Sequence, residues 1–199
     1  LGARRYQKQY QQIATQYLSN AVVDYFRPGG PNVLNVLSTE GGDGKSFLAS
    51  RLAEHLAQTG IKVRYVTWNK DFDINSKEFL LAGSLSDFIL TGEGELSLSE
   101  ADVIIVEYPP LAKCSVSAAL LREAALNLMV TRANRTWKDT DQLLYDKAYE
   151  LSAATPLLLY LNEAAREEVE IFTGLLPPYT RARKLAYKIY QFGFTATED

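Results

Sequence analysis

The chain has 199 residues, 47% hydrophobic and 23% charged, with a formal net charge of −3 and a pI near 5.3. Such a length supports one domain with a sizeable core, and such a charge leaves no general basic footprint for nucleic acid. No run approaches the ~18 apolar residues of a membrane span, and a lone cysteine, Cys114, excludes an internal disulfide and fits a reducing compartment. The single histidine, His55, has no second His or Cys partner nearby in sequence, which argues against zinc. The N-terminus, L-G-A-R-R-Y, has neither a signal-peptide core nor an initiator Met, so an excised domain is the expectation.

The first predicted element is a helix over about 4–26. Ile13, Tyr17, Ala21 and Tyr25 recur every four residues, Val22 and Phe26 widen the stripe, and Arg27-Pro28-Gly29-Gly30-Pro31 ends it. A short apolar strand follows, Val33-Leu34-Asn35-Val36-Leu37, and runs directly into S-T-E-G-G-D-G-K-S. A helical pattern starts at Lys45 and continues to about Gln58, with Phe47, Leu48, Leu52 and Leu56 in one stripe and Gly60 just beyond its end. Strand, glycine turn and helix in this order are the context of a phosphate-binding loop. Gly41, Gly42 and Gly44 can adopt backbone conformations closed to other residues, so that consecutive N–H groups turn inward around an anion. The helix N-terminus adds unpaired N–H groups and the positive end of its dipole. Lys45 then reaches the β- and γ-phosphates, and the Ser46 hydroxyl ligates Mg²⁺. The strict pattern G-x-x-x-x-G-K-[ST] is missed at one position, where Ser38 stands in place of glycine.

The next strand, Val63–Thr67, completes a strand–helix–strand unit that closes as a right-handed parallel crossover. After it comes V-T-W-N-K-D-F-D, in which Asp71 and Asp73 are either exposed loop acids and caps or displaced metal-site acids. Residues 84–92 read as a helix capped by Ser86 or Asp87 and ended by Gly92; 93–100 read as a loop with a short turn. A strand from Ala101 to Val106, apolar apart from Asp102, then ends in Glu107, followed by Tyr108-Pro109-Pro110. A carboxylate at that edge can hold Mg²⁺, and the longer glutamate arm favours contact through a water. The remaining expectations are a helix over 115–124, a strand Leu126–Arg132, a helix Thr140–Ser152 and a strand Pro156–Asn162. The last stretch, 163–199, is helical, then P-P-Y-T, then an amphipathic helix that carries Arg181, Arg183, Lys184, Tyr187 and Tyr190. Alternation of strands and helices argues an α/β parallel sheet covered by helices on both faces. Strand order is not readable.

Several of these words together resemble the bacterial tyrosine kinases of the exopolysaccharide and capsule chain-length family. S-T-E-G-G-D-G-K-S resembles that family's S-x-x-P-G-E-G-K-[ST]; S-L-S-D-F-I-L-T-G resembles G-L-S-D-x-L-x-G; I-I-V-E-Y-P-P resembles V-I-I-D-T-P-P. A-L-N-L-M-V-T-R-A-N-R-T and L-L-L-Y-L-N continue the similarity up to Asn162. The resemblance implies a single P-loop NTPase domain of the deviant-Walker, bacterial tyrosine kinase type. It implies ATP or ADP held by Gly41, Gly42, Asp43, Gly44, Lys45, Ser46 and Phe47, Mg²⁺ at Ser46 and Glu107, and, as in related P-loop ATPases, the base near Asn162. The family's D-x-D acids fall on Thr67 and Asn69, so Lys45 with Asp71 and Asp73 as relocated acids is the catalytic set it leaves. The arginines that build a subunit ring in the family are missing from Gln12–Asn20, although a homo-oligomer stays open. The implied function is a nucleotide-binding domain, impaired as a kinase, that regulates exopolysaccharide or lipopolysaccharide synthesis and export. It would lie in the cytoplasm at the inner membrane, with a membrane-bound chain-length or export protein as partner and no nucleic acid. The alternatives are an active tyrosine autokinase, a small-molecule kinase, or a partition-type ATPase, which carries a second lysine in the region of Thr39 and Glu40.

Overall fold

The computed structural model describes residues 2–73, 81–90, 92 and 96–191. Five strands form one all-parallel sheet: β1 (Asn32–Leu37), β2 (Val63–Thr67), β3 (Val103–Glu107), β4 (Leu126–Arg132) and β5 (Leu157–Asn162), in the order β2-β3-β1-β4-β5. The inner strands are nearly continuous apolar runs, as a sheet buried on both faces requires. Side chains alternate between the faces. Leu34 and Val36 of β1, Val103 and Ile105 of β3, and Leu126, Leu128 and Val130 of β4 meet Val22 of helix α1 (Gly2–Val23) and Leu48, Leu52 and Leu56 of helix α2 (Lys45–Gln58). Leu37, Ile104, Val106 and Met129 face the other way, onto Leu120 and Leu121 of α3 (Ala118–Glu123) and Ala148 of α4 (Asp139–Ser152).

This topology decides where a ligand can sit. β1 leads to a helix on one face, while β3 and β4 lead to helices on the opposite face. The crevice where those connections part lies beyond the carboxyl end of β1, the general ligand position of open α/β sheets. The glycine turn starts there. Under the sheet, Asn35 donates to the Asn127 Oδ1 at 2.8 Å and to the Leu120 carbonyl at 3.0 Å, and Asn127 donates to the Leu121 carbonyl at 2.9 Å. Both asparagines are fully buried and close carbonyls of α3 that its own helix leaves open.

Three elements differ from the sequence reading. The helix expected over 84–92 is one short turn, Leu85–Asp87. Ser84 and Asp87 satisfy each other within that turn, and Phe88 then drops into an aromatic cluster with Phe72 and Tyr108, with ring centroids 4.7 Å and 6.4 Å away. The helix expected over 115–124 begins at Ala118, where the Ser117 hydroxyl accepts the Ala119 N–H at 3.2 Å. The first helix stops at Val23 rather than at 26. The final elements are α5 (Arg166–Thr173) and α6 (Arg181–Gln191). Among the described residues, no helix is long and apolar enough to cross a membrane.

Candidate nucleotide site

The turn between β1 and α2 needs glycine at two places. Gly42 has φ +83° and Gly44 φ +97°. Gly44 has a second reason: a Cβ there would lie 2.0 Å from the Nδ2 of Asn162. Asn162 ends β5 and donates that Nδ2 to the Asp43 carbonyl at 3.1 Å. The residue expected beside the base thus also clamps the loop. Gly41, where the resembled family has proline, is under neither constraint; a Cβ there would only touch Pro110 at 3.8 Å.

Lys45 is 5% exposed and folds back over the turn, donating from Nζ to the Ser38 hydroxyl at 2.6 Å. That hydroxyl donates onward to the Glu40 carbonyl at 2.6 Å. The residue that breaks the strict motif is therefore the lysine's partner. Burial pushes the Lys45 ammonium below its ordinary range, opposed by the charges of Glu107 and Asp43. A phosphate in the turn would add a further counter-charge to this buried cation.

Glu107, at the end of β3, is 1% exposed and collects three hydroxyl donors. Ser46 Oγ donates to its Oε1 at 2.6 Å; Tyr65 OH and Thr67 Oγ1 donate to its Oε2 at 2.5 Å and 2.9 Å. Burial, then the bond to Glu107, pushes the Tyr65 phenol up. Ser46 and Glu107 are adjacent oxygen ligands of the hard kind that Mg²⁺ takes, so this pair fits the ion that accompanies a nucleotide phosphate.

The two downstream acids are used differently from the catalytic expectation. Asp71 accepts the Thr67 N–H on Oδ2 at 2.8 Å, and its own N–H returns to the Thr67 carbonyl at 2.9 Å, so it caps the turn after β2. Asp73 is exposed, and its N–H is bonded to the Phe88 carbonyl at 2.9 Å. Thr67, in the register of a family acid, spends its hydroxyl on Glu107.

Beside Gly44 a cleft of about 480 Å³ opens between α1 and β5, with Tyr10, Phe47, Arg51, Asn162 and Arg166 on its walls. Phe47 is 46% exposed, and the Arg51 guanidinium lies 5.3 Å from its ring centroid. This cleft continues from the phosphate turn and is wide enough for a nucleoside.

Sequence reasoning missed Arg135. It donates to both carboxylate oxygens of Asp43, at 2.9 Å and 3.2 Å, and to both of Asp141, at 2.7 Å and 2.9 Å, and it reaches the Thr39 hydroxyl at 2.8 Å. Thr39 also donates to Asp141. Asp43 and Asp141 are each 1% exposed. Asp43, expected as a nucleotide ligand, thus turns its side chain to Arg135 and leaves only its backbone for a phosphate. Arg135 holds the Asp141 carboxyl well below the usual carboxylate range. The available signal was an acid inside a glycine turn, which asks for a cation, and the second arginine of R-A-N-R-T. Tyr187 is half-buried on α6; the side chain of Tyr190 lies outside the described residues.

No protein-family profile and no curated protein sequence matches the chain. Among solved structures, it is similar to the VpsO kinase domain at a TM-score of 0.53 and 18% identity, over 83% of this chain and 100% of that one. The kinase domain of the Escherichia coli tyrosine kinase ETK matches at 0.48 and 18%, over 68% and 69%. A putative plasmid partition protein of Borrelia burgdorferi, bound to AMPPNP, matches at 0.47 and 15%, over 83% and 84%. The chain has a P-loop α/β fold, that of the VpsO kinase domain, with a glycine turn, a buried lysine and a serine–glutamate pair at the crevice of its sheet.

Proposed function

We propose that this chain is the ATP- or ADP-binding domain of a bacterial tyrosine-kinase-like protein, with phosphoryl transfer impaired. The observation that carries the reading is the convergence of Lys45, Ser46 and Glu107 at the left-handed Gly44 turn. Backbone N–H groups of 41–47 bind the phosphates, Lys45 exchanges its Ser38 partner for a phosphate oxygen, and the base lies in the cleft beside Phe47 and Asn162. Ser46 and Glu107 would hold Mg²⁺, which neutralises phosphate charge when bound. The transfer side is poor in acids. Thr67 donates to Glu107, and Asp71 is engaged with the turn it caps, so among the described residues neither of these two is left as a positioned base for a tyrosine proton. Thr39 stands in the region where a partition ATPase carries its second lysine; it is buried and bonded to Arg135, which favours the kinase-like reading.

The proposed role is regulatory: nucleotide occupancy sets assembly with a membrane-bound polysaccharide chain-length or export protein on the cytoplasmic side of the inner membrane. The resemblance supports this partner, and co-purification of the parent protein with a membrane protein tests it. The nucleotide reading is tested by titrating Mg·ADP into wild type and Lys45→Ala. Loss of a charge-assisted contact costs roughly 1.5–3 kcal/mol, about tenfold or more in affinity. Equal affinities, or no binding to wild type at millimolar nucleotide, refute it.

A further inference from the structure

The stretch from Ile171 to Thr197 holds Arg181, Arg183, Lys184 and Lys188 and no Asp or Glu, in a chain of net charge −3. Within it, α6 has three distinct sides, since successive residues turn by about 100°. Arg181, Lys184 and Lys188 share one side, and Ala182, Leu185 and Ala186 the side next to it. The helix leans on the body through the third. There Arg183 donates from Nη1 to the carbonyls of Leu176 and Pro178 at 2.9 Å and 3.1 Å and pairs through Nη2 with Glu170, and Tyr187 is half-buried.

The apolar side is therefore not the packed side. Leu185 is 62% exposed, and Ala182 and Ala186 are exposed with it. Tyr179, just before the helix, is 56% exposed, with the Lys184 ammonium 5.9 Å from its ring centroid. Arg181, Lys184 and Lys188 make no ion pair among the described residues. A helix serving only its own core turns its apolar stripe inward. Here an arginine anchors the helix, while an apolar stripe and a row of cations with no ion pair among the described residues lie side by side on its exposed sides. That is the pattern of a helix lying in a membrane interface, cations at the phosphates and apolar side chains at the acyl boundary. A second copy of the same helix would set these cations against their like.

We propose that α6 is a direct contact with an anionic lipid surface, with Arg181, Lys184 and Lys188 at the headgroups and Leu185 and Tyr179 entering the interface. This goes beyond the nucleotide reading and needs no protein partner, so it is measured without nucleotide. The full chain is sedimented with phosphatidylcholine vesicles and with phosphatidylcholine–phosphatidylglycerol vesicles. Binding is expected to the mixed vesicles alone and to fall with added salt. Each cation near an anionic surface contributes about fivefold, so Lys184→Gln with Lys188→Gln should weaken binding about 25-fold. Leu185→Ser, at an exposed position, should weaken it about tenfold through lost apolar burial. Absence of binding, or equal binding to neutral vesicles, overturns the proposal. Equal binding to soluble heparin, unchanged in Leu185→Ser, overturns it in favour of a plain charge patch. A dimer in sedimentation equilibrium that Leu185→Ser dissolves overturns it in favour of a second copy.

Discussion

The Ser46 hydroxyl and the Glu107 carboxylate meet at 2.6 Å, joining the first turn of α2 to the carboxyl end of β3. Parallel pairing of β1 with β3, Val36 opposite Glu107, brings the two together. A metal at this pair depends on the carboxylate charge, whereas the phosphate turn does not. Glu107→Gln should therefore abolish the gain in ADP affinity that Mg²⁺ gives and leave affinity in EDTA nearly unchanged. The variant should also melt lower, because an amide group would face the hydroxyls of Ser46, Tyr65 and Thr67; an unmade buried hydrogen bond costs about 1–3 kcal/mol. Calorimetric titration with and without Mg²⁺ checks this. An undiminished Mg²⁺ effect would move the metal away from Glu107.

Gly44 and Asn162 give a second, purely steric prediction. Gly44→Ala suffers a left-handed φ, worth about 1–3 kcal/mol, and a Cβ 2.0 Å from the Asn162 amide. The variant should lose nucleotide binding and melt lower than wild type. Asn162→Ala on its own should be milder, removing one hydrogen bond to the loop. The double variant should relieve the clash but not the backbone strain, so the two effects should be non-additive. Strict additivity in denaturant titrations would show that the loop moves aside instead.

The elements that position this site were legible where a local pattern bounded them. Strands β2 and β4 and helix α2 fall on the expected residues, because a buried apolar run or a 3.6-residue stripe ends at glycine or polar residues. The phosphate turn was legible for the same reason, since its glycines, lysine and serine are neighbours in sequence. Strand order was not, because buried parallel strands carry little to distinguish one partner from another. The Arg135 network was also hidden: it joins residues 39, 43, 135 and 141, and no periodicity links them. The short turn at Leu85–Asp87 was over-read because its cap residues also open longer helices.

Tyrosine autophosphorylation should be weak. Thr67 and Asn69 stand where the resembled family has acids; Thr67 donates to Glu107, and Asp71 caps its own turn. Loss of a positioned base removes ~10²–10⁴-fold in rate. Dephosphorylated protein incubated with Mg·ATP should show little phosphate on Tyr187 or Tyr190 by mass spectrometry, while still binding ADP. Strong labelling that disappears in Lys45→Ala would mark a working kinase, and Asp71→Asn would then tell whether that acid serves it.

Arg135 provides a prediction with a defined pH signature. Its side chain is 11% exposed and is the cation for two carboxylates that are essentially inaccessible to water. Arg135→Met leaves both acids without it, and breaking a buried pair in this way costs about 3–5 kcal/mol. The Asp141 carboxyl is depressed in the folded protein, first by Arg135, against burial, and then by Thr39 and the Lys138 N–H. An acid whose folded pKa lies below the unfolded value of about 3.9 stabilises fully above that value and loses its contribution as pH falls through the folded pKa. Wild type should thus lose stability on acidification below about pH 4. In Arg135→Met the largest cause of that depression is gone while Thr39 and the Lys138 N–H still oppose burial, so the Asp141 carboxyl is depressed less and the deficit should shrink as the pH is lowered from 7 through about 4. Arg135→Lys cannot serve both carboxylates with one ammonium and should fall between the two. Melting temperatures across that range decide the matter: a deficit that is absent at pH 7, or that widens in acid, would show that the phosphate turn is held by something other than Arg135.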